Sequence, residues 1–361
     1  MPVDVPSITI TGTVAHRAWQ QRVLPPVERV RPGVWSVPTP FPDNPLRYVL
    51  SYVIETRTGI ALVDTGWPTE LGWRGLVDGI AQTGWTVADV EAVLITHGHA
   101  DHFGLARRVR EASGAWIGMH RLDAPSADEN RRETFRAADT SWLRRRGMAD
   151  ARAFYALPAP SDMLADPFPE PDRFIEDGDR PLGARSPLSA IWTPGHTPGH
   201  LCFLDTDHDV LLTGDHILPR ISPNISPSPW NSDDILGDYL NSLAALSTLV
   251  VDEVLPAHEY RFAGLGERIA QLRAHHGERL AEVVAAVAAT PGICTVDLTE
   301  QLKWSRPWDQ MLGFIRRSAI GEAYAHARHL ARLGVLVNRG DDVDAWHQVT
   351  DHDPNRVFPD L

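Results

Sequence analysis

Residues 97–102 read HGHADH, three histidines and an aspartate within six positions, directly after the apolar run VLIT. Rings packed this tightly call for something that holds them together. His97 and His99 stand two apart, so in extended or loop backbone both side chains project to the same side. Asp101 and His102 then turn in another direction, so one short loop could offer two ligands to each of two metals. Imidazole nitrogen with carboxylate oxygen is a ligand set for zinc, with iron or manganese as alternatives. A histidine-rich surface loop is the bland alternative, and the rest of the chain argues against it. AIWTPGH delivers His196, DVLLTGD delivers Asp215, DEVLPAH delivers His258, and GIALVDTG carries Asp64, each at the end of a β-like run. Open α/β sheets gather their sites at strand ends, so these positions can converge in space.

The elements that must position them are legible as runs. GVWSVPTP, LRYVLSYVIET and GIALVDTG are rich in β-branched and aromatic residues and punctuated by Pro and Gly, so the first third reads as strands and turns. TELGWRGLVDGIAQTG reads as a helix and VEAVLIT as the strand that delivers the histidine cluster. GLARRVREASG is a second helix, with Gly114 as its C-cap, and AWIGMH a further strand. This alternation predicts a layered α/β domain. Residues 120–180 interrupt it with an arginine-rich helical stretch and a proline-rich loop, read as an insertion over the sheet edge. LSAIWTPGH, HLCFLDTD and DVLLTGDHIL resume the strands, and DILGDYLNSLAALSTL and DEVLPAH close the domain with a helix and a strand. From about residue 265 long helices take over. Helix, short strand, helix, helix and a two-stranded wing is the winged-helix order. The expected organisation is therefore a metal-binding catalytic domain over 1–265, a winged-helix-like domain over 266–350 and a tail over 351–361.

The HxHxDH motif at 97–102, with Asp64, His196, Asp215 and His258 in that order, resembles the metallo-β-lactamase superfamily over roughly residues 28–262. The resemblance implies an αββα sandwich with a two-metal site along one edge, followed here by the small winged-helix-like α+β domain. It implies that His97, His99 and His196 hold one metal and that Asp101, His102 and His258 hold the other, with Asp215 bridging both. Asp64 is then a residue that orients the ligand loop rather than a ligand. Two zinc ions are the implied cofactors. Such a pair, about 3.5–4 Å apart, lowers the pKa of a shared water towards neutrality. The expected protein is thus a dinuclear-zinc hydrolase using a metal-bridging hydroxide, in which Asp101 can also take or relay a proton. Retention of both Asp101 and Asp215 looks more like hydrolases of thioesters, lactones or phosphodiesters than like the lactamases. A small ester-type substrate is expected, a thioester such as an acyl-CoA or a lactone. A metal-dependent endoribonuclease or phosphodiesterase is the alternative, and a ligand-sensing DNA-binding regulator is the alternative of another class.

Other residues compete for roles around this set. His200 either faces the substrate or stabilises its loop by hydrogen bonding. His216 and Tyr260 could line the pocket, though packing around the site fits each better. His120 reads as a packed histidine, and His275 and His276 as surface residues. The loop LPRISPNISPSPWNSDD after Asp215 is expected to form one wall of the site. Arg131, Arg132, Arg136, Arg144, Arg145 and Arg146 could bind substrate phosphates. A solvated helix face with the acidic neighbours Glu129, Glu133 and Asp139 is the preferred reading of them.

Composition bounds the partners. A net charge of −13 disfavours a general nucleic-acid or anionic-membrane binder. Residues 266–350 hold ten Lys/Arg and ten Asp/Glu, and the wing VNRGDDVDAW is acidic where a DNA reader would be basic. The second domain is therefore read as structural or homodimer-forming, with Trp304, Trp308 and Phe314 as core or interface anchors. Its order resembles that of the LACTB2-like group of the superfamily, which includes single-strand-specific ribonucleases. MPVDVPSITI lacks the features of a secretory signal, and no apolar run approaches the roughly 20 residues of a membrane helix. Cys202 and Cys294 are the only cysteines and stand far apart. A cytoplasmic location and a small-molecule substrate are the resulting expectations.

Overall fold

The computed structural model describes residues 7–125, 131–151, 168–227 and 233–349. In chain order the first strands are β1 (Thr9–Ile10), β2 (Glu28–Arg31), β3 (Val34–Pro40), β4 (Tyr48–Glu55), β5 (Ile60–Val63), β6 (Val90–Leu94) and β7 (Trp116–Met119). They continue as β8 (Arg173–Phe174), β9 (Leu188–Trp192), β10 (Leu201–Asp205), β11 (Val210–Gly214), β12 (Glu253–Pro256) and β13 (Phe262–Ala263). One seven-stranded sheet runs in the order β2-β3-β4-β5-β6-β7-β8, antiparallel from β2 to β5 and parallel from β5 onward. A six-stranded sheet runs β1-β13-β12-β11-β10-β9, with β11 and β12 parallel.

Period-two alternation divides the side chains of β4 between two cores. Tyr48, Leu50, Tyr52 and Ile54 join Leu188, Ala190, Leu201, Phe203, Val210, Leu212 and Leu255 of the six-stranded sheet in one buried cluster. Val53 points the other way, into a second cluster with Leu76, Ile80 and Val109. The latter residues come from α2 (Glu70–Gln82) and α4 (Ala106–Ser113), which cover the outer face of the seven-stranded sheet. Between them lies the single turn α3 (Ala100–Phe103). Thr69 caps α2 by accepting the Gly72 N–H at 3.1 Å. Gly114 ends α4 with φ +78° and its N–H on the Arg110 carbonyl, the C-cap expected for it.

One element departs from the strands-and-turns reading of the first third. Thr13–Gln21 is a helix, α1. It buries only Ala15 and Ala18, so its sequence carries too narrow an apolar stripe to announce itself. The strand before it, β1, pairs Thr9 with Ala263 and Ile10 with Phe262 and so extends the second sheet.

The chain divides into two compact units. The first comprises residues 1–127, 166–223 and 244–269, and the second 128–165, 224–243 and 270–361. Helix α5 (Arg131–Arg145) thus groups with the C-terminal helices, where a cover over the sheet edge was expected. The physical reason is a set of buried ion pairs within the second unit. Arg317 grips Asp139 at 2.8–3.2 Å and lies over the Trp142 ring at 4.1 Å. Arg146 pairs with Asp344 at 2.8 Å and stacks on Tyr324. Asp139 therefore answers Arg317, a partner far along the chain. Arg136, Arg144 and Arg145 are exposed, while the side chains of Arg131 and Arg132 and all of Glu129 and Glu133's side-chain surroundings lie outside the described residues.

The second unit continues with most of α6 (Ile235–Leu246) and of α7 (Leu265–Ala289), then α8 (Thr295–Gln301) and α9 (Gly313–Arg332). A hairpin of β14 (Leu336–Asn338) and β15 (Trp346–Gln348) follows, and the short strand expected before α8 is a single bridge from Ile293 to Trp346. Trp346 is buried and its indole N–H donates to Thr295 Oγ1 at 3.0 Å. Trp304 and Trp308 are partly buried, whereas Phe314 is 59% exposed at the start of α9 and is no core anchor. His276, read as a surface residue, is buried against His326 because α7 and α9 pack together at that point. The tail 351–361 lies outside the described residues. No helix among the described residues is long and apolar enough to cross a membrane.

Candidate metal centre

Asp64 follows β5, residues 97–102 follow β6, His196 lies between β9 and β10, Asp215 follows β11 and His258 follows β12. Because β5 runs parallel to β6 and β11 parallel to β12, the ends of each pair open at the same edge of their sheet. Asp64 has a left-handed backbone, φ +59°, rare for a residue with a Cβ and often found where function fixes the chain. Its Oδ1 accepts the Thr96 N–H at 2.8 Å, and its Oδ2 accepts Thr96 Oγ1–H at 2.8 Å and His102 Nδ1–H at 2.7 Å. His258 Nδ1–H donates to the Tyr48 carbonyl at 3.0 Å. Thr96 Oγ1, having donated to Asp64, accepts from His97 Nδ1 at 3.0 Å. Each of these bonds engages Nδ1 and so turns Nε2 inward, the orientation in which a neutral imidazole can ligate a cation.

Two groups of donor atoms result. His99 Nδ1 lies 2.9 Å from His97 Nε2 and 3.1 Å from His196 Nε2. Asp101 Oδ2 lies 3.7 Å from His102 Nε2 and 3.5 Å from His258 Nε2. Asp215 stands between the groups. Its Oδ1 is 3.4 Å from His102 Nε2 and 3.2 Å from His258 Nε2, while its Oδ2 is 3.7 Å from His196 Nε2. His102 Nε2, His258 Nε2 and Asp215 Oδ1 are all buried and make no hydrogen bond. Three buried polar atoms that converge without bonding one another need a common partner, and this nitrogen and oxygen set suits a zinc-like ion.

The electrostatics divide the same way. Burial pushes the His97 imidazole well below its ordinary pKa, and the neighbouring rings of His102, His99 and His196 add to the shift. Burial acts in that direction on His102 too, but Asp215, Asp101 and Asp64 outweigh it and hold the ring well above its ordinary value. The same contest, burial against Asp215 and Asp101, raises His258 to about 10. Burial would raise the Asp215 carboxyl, yet His258 and His102 keep it well below the usual carboxylate range. Solvent reaches the cage from one side, since His99 is exposed and Asp101 half-buried while His97, His102 and His258 are fully enclosed.

His200 makes the hydrogen bonds of the loop-stabilising reading. It is fully buried, its Nε2 accepts the Asp215 N–H at 3.3 Å, and its Nδ1–H donates to Thr193 Oγ1 at 2.8 Å. His216 is buried 5.4 Å from the His200 ring, and burial drives its pKa down to about 3. Tyr260 packs edge-on against His16 and Trp19 of α1. His120 stacks on Trp192 at 5.3 Å, the packed role expected of it. The loop after Asp215 is tied down where Arg268 donates to the Leu218 and Ile221 carbonyls, and residues 228–232 of it lie outside the described residues. Two residues escaped the sequence reading. Thr96 joins Asp64 to His97, and Asp123 receives bonds from both ligand loops. Asp123 follows the strand AWIGM, so the strand-end reasoning that found Asp215 could have found it.

Residues 44–258 match the family model described as the metallo-beta-lactamase superfamily. A Caenorhabditis elegans protein named beta-lactamase-like protein 2 homolog is 21% identical over 325 residues, which cover 89% of this chain and 92% of that one. Among solved structures, a metallo-beta-lactamase family protein of Thermus thermophilus superposes with a TM-score of 0.73 at 27% identity, covering 89% of this chain and all of its own. A beta-lactamase domain protein of Burkholderia ambifaria gives 0.71 at 29% identity, covering 90% of this chain and 95% of that one. Coverage this broad takes in C-terminal helices as well as the sheets. The expected fold, an αββα sandwich followed by a small winged-helix-like α+β domain, is thereby shown as two mixed sheets with helices and a C-terminal helical region with a small hairpin.

Proposed function

Because the chain belongs to the metallo-beta-lactamase superfamily, we propose that its His/Asp cage holds two divalent metals, zinc foremost, and that it hydrolyses a small ester-type substrate, a thioester or a lactone. At the coarser level it is a metal-dependent hydrolase of that superfamily. His97 Nε2, His99 Nδ1 and His196 Nε2 would hold one ion. Asp101 Oδ2, His102 Nε2 and His258 Nε2 would hold the other, with one Asp215 oxygen turned to each. Metals bound there supply Lewis acidity and a water that ionises near neutral pH.

The remaining chemistry belongs to the side chains. Asp101, half-buried at the open side, is placed to take a proton from water and return it to the leaving group. Asp64 and the Tyr48 carbonyl hold His102 and His258 in the tautomers that present Nε2. The observation that carries the reading is Asp215, whose two oxygens face the two groups while its Oδ1 and the facing imidazole nitrogens make no hydrogen bond. The net charge of −13 supports a small substrate over a long polyanion such as RNA. The exposed Arg136, Arg144 and Arg145 favour a second reading, a phosphodiester such as single-stranded RNA.

Elemental analysis joined to a hydrolysis panel tests this. The panel holds acyl-CoAs, lactones, aryl esters, a bis-aryl phosphate, a β-lactam and single-stranded RNA. Two metals per chain with release of free thiol from an acyl-CoA, or opening of a lactone, is the expected result. Cleavage of RNA with steeply salt-dependent binding selects the second reading. Less than one metal per chain, with every activity unchanged in Asp215→Ala, overturns both.

A further inference from the structure

Asp123 ends the 3₁₀ turn Arg121–Asp123 that follows β7, and it is not one of the cage's donors. Its carboxylate collects three hydrogen bonds from two loops. Oδ2 accepts the Gly98 N–H at 3.0 Å and the Thr197 hydroxyl at 2.5 Å, and Oδ1 accepts the Gly199 N–H at 2.7 Å. Gly98 lies between His97 and His99, Thr197 follows His196 directly and Gly199 stands three residues after it. The first loop leaves β6 of the seven-stranded sheet, and the second joins β9 to β10 of the other. One carboxylate thus pins together two loops that belong to different sheets.

The approach is close enough to dictate sequence. A Cβ at Gly98 would stand 2.8 Å from the Asp123 carbonyl oxygen, and one at Gly199 would stand 2.7 Å from the Asp123 nitrogen. Only glycine lets the backbones come this near. The turn that carries Asp123 is itself braced. The Leu122 N–H donates to His120 Nδ1 at 3.3 Å, the Asp123 N–H donates to the His120 carbonyl at 3.1 Å, and the His120 ring stacks on Trp192. His99, by contrast, is exposed, and its ring contacts are with His97 and His196, the rings it must be held against. The other half of the cage has supports of its own, the Asp64 carboxylate for His102 and the Tyr48 carbonyl for His258.

We propose that Asp123 is a positioning residue that sets the spacing of the 97–99 and 196–199 loops and so governs metal affinity in the all-histidine half of the cage alone. This rests on the metal reading above. A carboxylate accepting three bonds, two from backbone N–H groups, is a strong and directional clamp. Outer partners of metal ligands of this kind are worth about 10–100-fold in metal affinity.

The full-length protein, Asp123→Ala, Asp123→Asn and Thr197→Val are loaded with zinc and titrated against a chromophoric chelator, with elemental analysis for stoichiometry. Cobalt(II) is then substituted and its visible spectrum recorded, and circular dichroism verifies the fold. The wild type is expected to bind two ions. Asp123→Ala is expected to lose about 10–100-fold in affinity for one ion and to keep the other unchanged. Its cobalt spectrum should lose the contribution of one site. Asp123→Asn, which keeps an acceptor but not the charge, and Thr197→Val, which removes one bond of the three, should show the same selective loss to a smaller degree. Unchanged affinity for both ions overturns the proposal, and so does an equal loss of both, which is what general loosening of the edge produces. If Asp123→Ala does not fold, the two milder variants decide by the same criterion. A wild type that binds less than one ion sinks the metal reading, and this proposal with it, whereas two ions in the wild type and two unaltered ions in the variants sink this proposal only.

Discussion

His276 on α7 and His326 on α9 meet ring to ring at 5.2 Å, with Nδ1 and Nε2 3.1 Å apart. That is the spacing seen between His99 and His196 in the first unit. The surroundings differ. His326 Nδ1–H donates to the Glu322 carbonyl at 2.7 Å, which leaves its Nε2 to accept from His276 Nδ1–H. Burial pushes both rings below their ordinary pKa, His326 to about 3, and the charges of Arg279, His275 and His329 press the same way on His326. The nearby Asp234 carboxylate is engaged by His329 at 3.0 Å, and the half-buried Glu322 carboxyl is itself raised by desolvation. At the cage, Asp101, Asp215 and Asp64 reverse the effect of burial on His102, and Asp215 and Asp101 do so on His258. His276 Nε2 is also buried without a hydrogen bond, so a lone orphaned nitrogen does not distinguish the two places. Convergence does. Three such atoms share one space at the cage, and among the described residues only that region groups three or more donors. Close histidines mark a cation site when carboxylates stand among them, and a packed core when they do not.

The comparison can be broken most directly at Asp215 and His276. Asp215→Ala should lower hydrolysis by more than about 10²-fold, beyond the cost of an outer partner, and reduce metal content. His276→Ala should leave metal content at the wild-type value, and elemental analysis of both variants decides. Next in size is Asp64→Asn, which disturbs the acceptor of His102 Nδ1–H. Chelator competition should show a loss of about 10–100-fold for one ion. His326→Ala removes the acceptor of His276 Nδ1–H and should cost about 1–3 kcal/mol of stability. Thermal unfolding would record that as a fall of several degrees, with no change in metal affinity.

The smallest effect is a pH dependence. With its folded pKa near 3 against an ordinary value of 6.5, His326 takes up a proton more readily unfolded than folded. Its contribution to stability is therefore complete above about pH 6.5 and is lost as the pH falls from there towards 3. The melting temperature of the wild type should decline between pH 7 and 4.5, and that of His326→Leu should decline less. Equal slopes would show that the neutral ring pair carries no weight.

The cage was readable because its residues are marked locally. Each donor segment is a run of β-branched residues that ends in His or Asp, and HGHADH places four donor residues in a single loop. What escaped depends on partners far along the chain. His276 looks like a polar position on an amphipathic helix until α9 brings His326 to it. The insertion looks like a solvated arginine face until Arg317 claims Asp139, 178 residues away. Asp123 is one acidic residue among many until the loops at 98 and 197–199 close on it. Phe314, read as a core or interface anchor, is excluded from the core by its exposed place at the start of α9, which leaves the interface reading.

The donors of the cage are drawn from both sheets, and the last of them, His258, comes just after β12. No shorter stretch of the chain can complete it. During synthesis the HGHADH loop leaves the ribosome long before its partners, and closing so long a span is slow because loop-closure entropy precedes the contacts that repay it. A nascent chain can offer the first histidines to any passing ion, but the full set of imidazoles and carboxylates exists only once the sandwich has shut. An ion that binds the finished form and not the unfinished one stabilises the finished form by mass action, so the folded sandwich and its ion are thermodynamically linked.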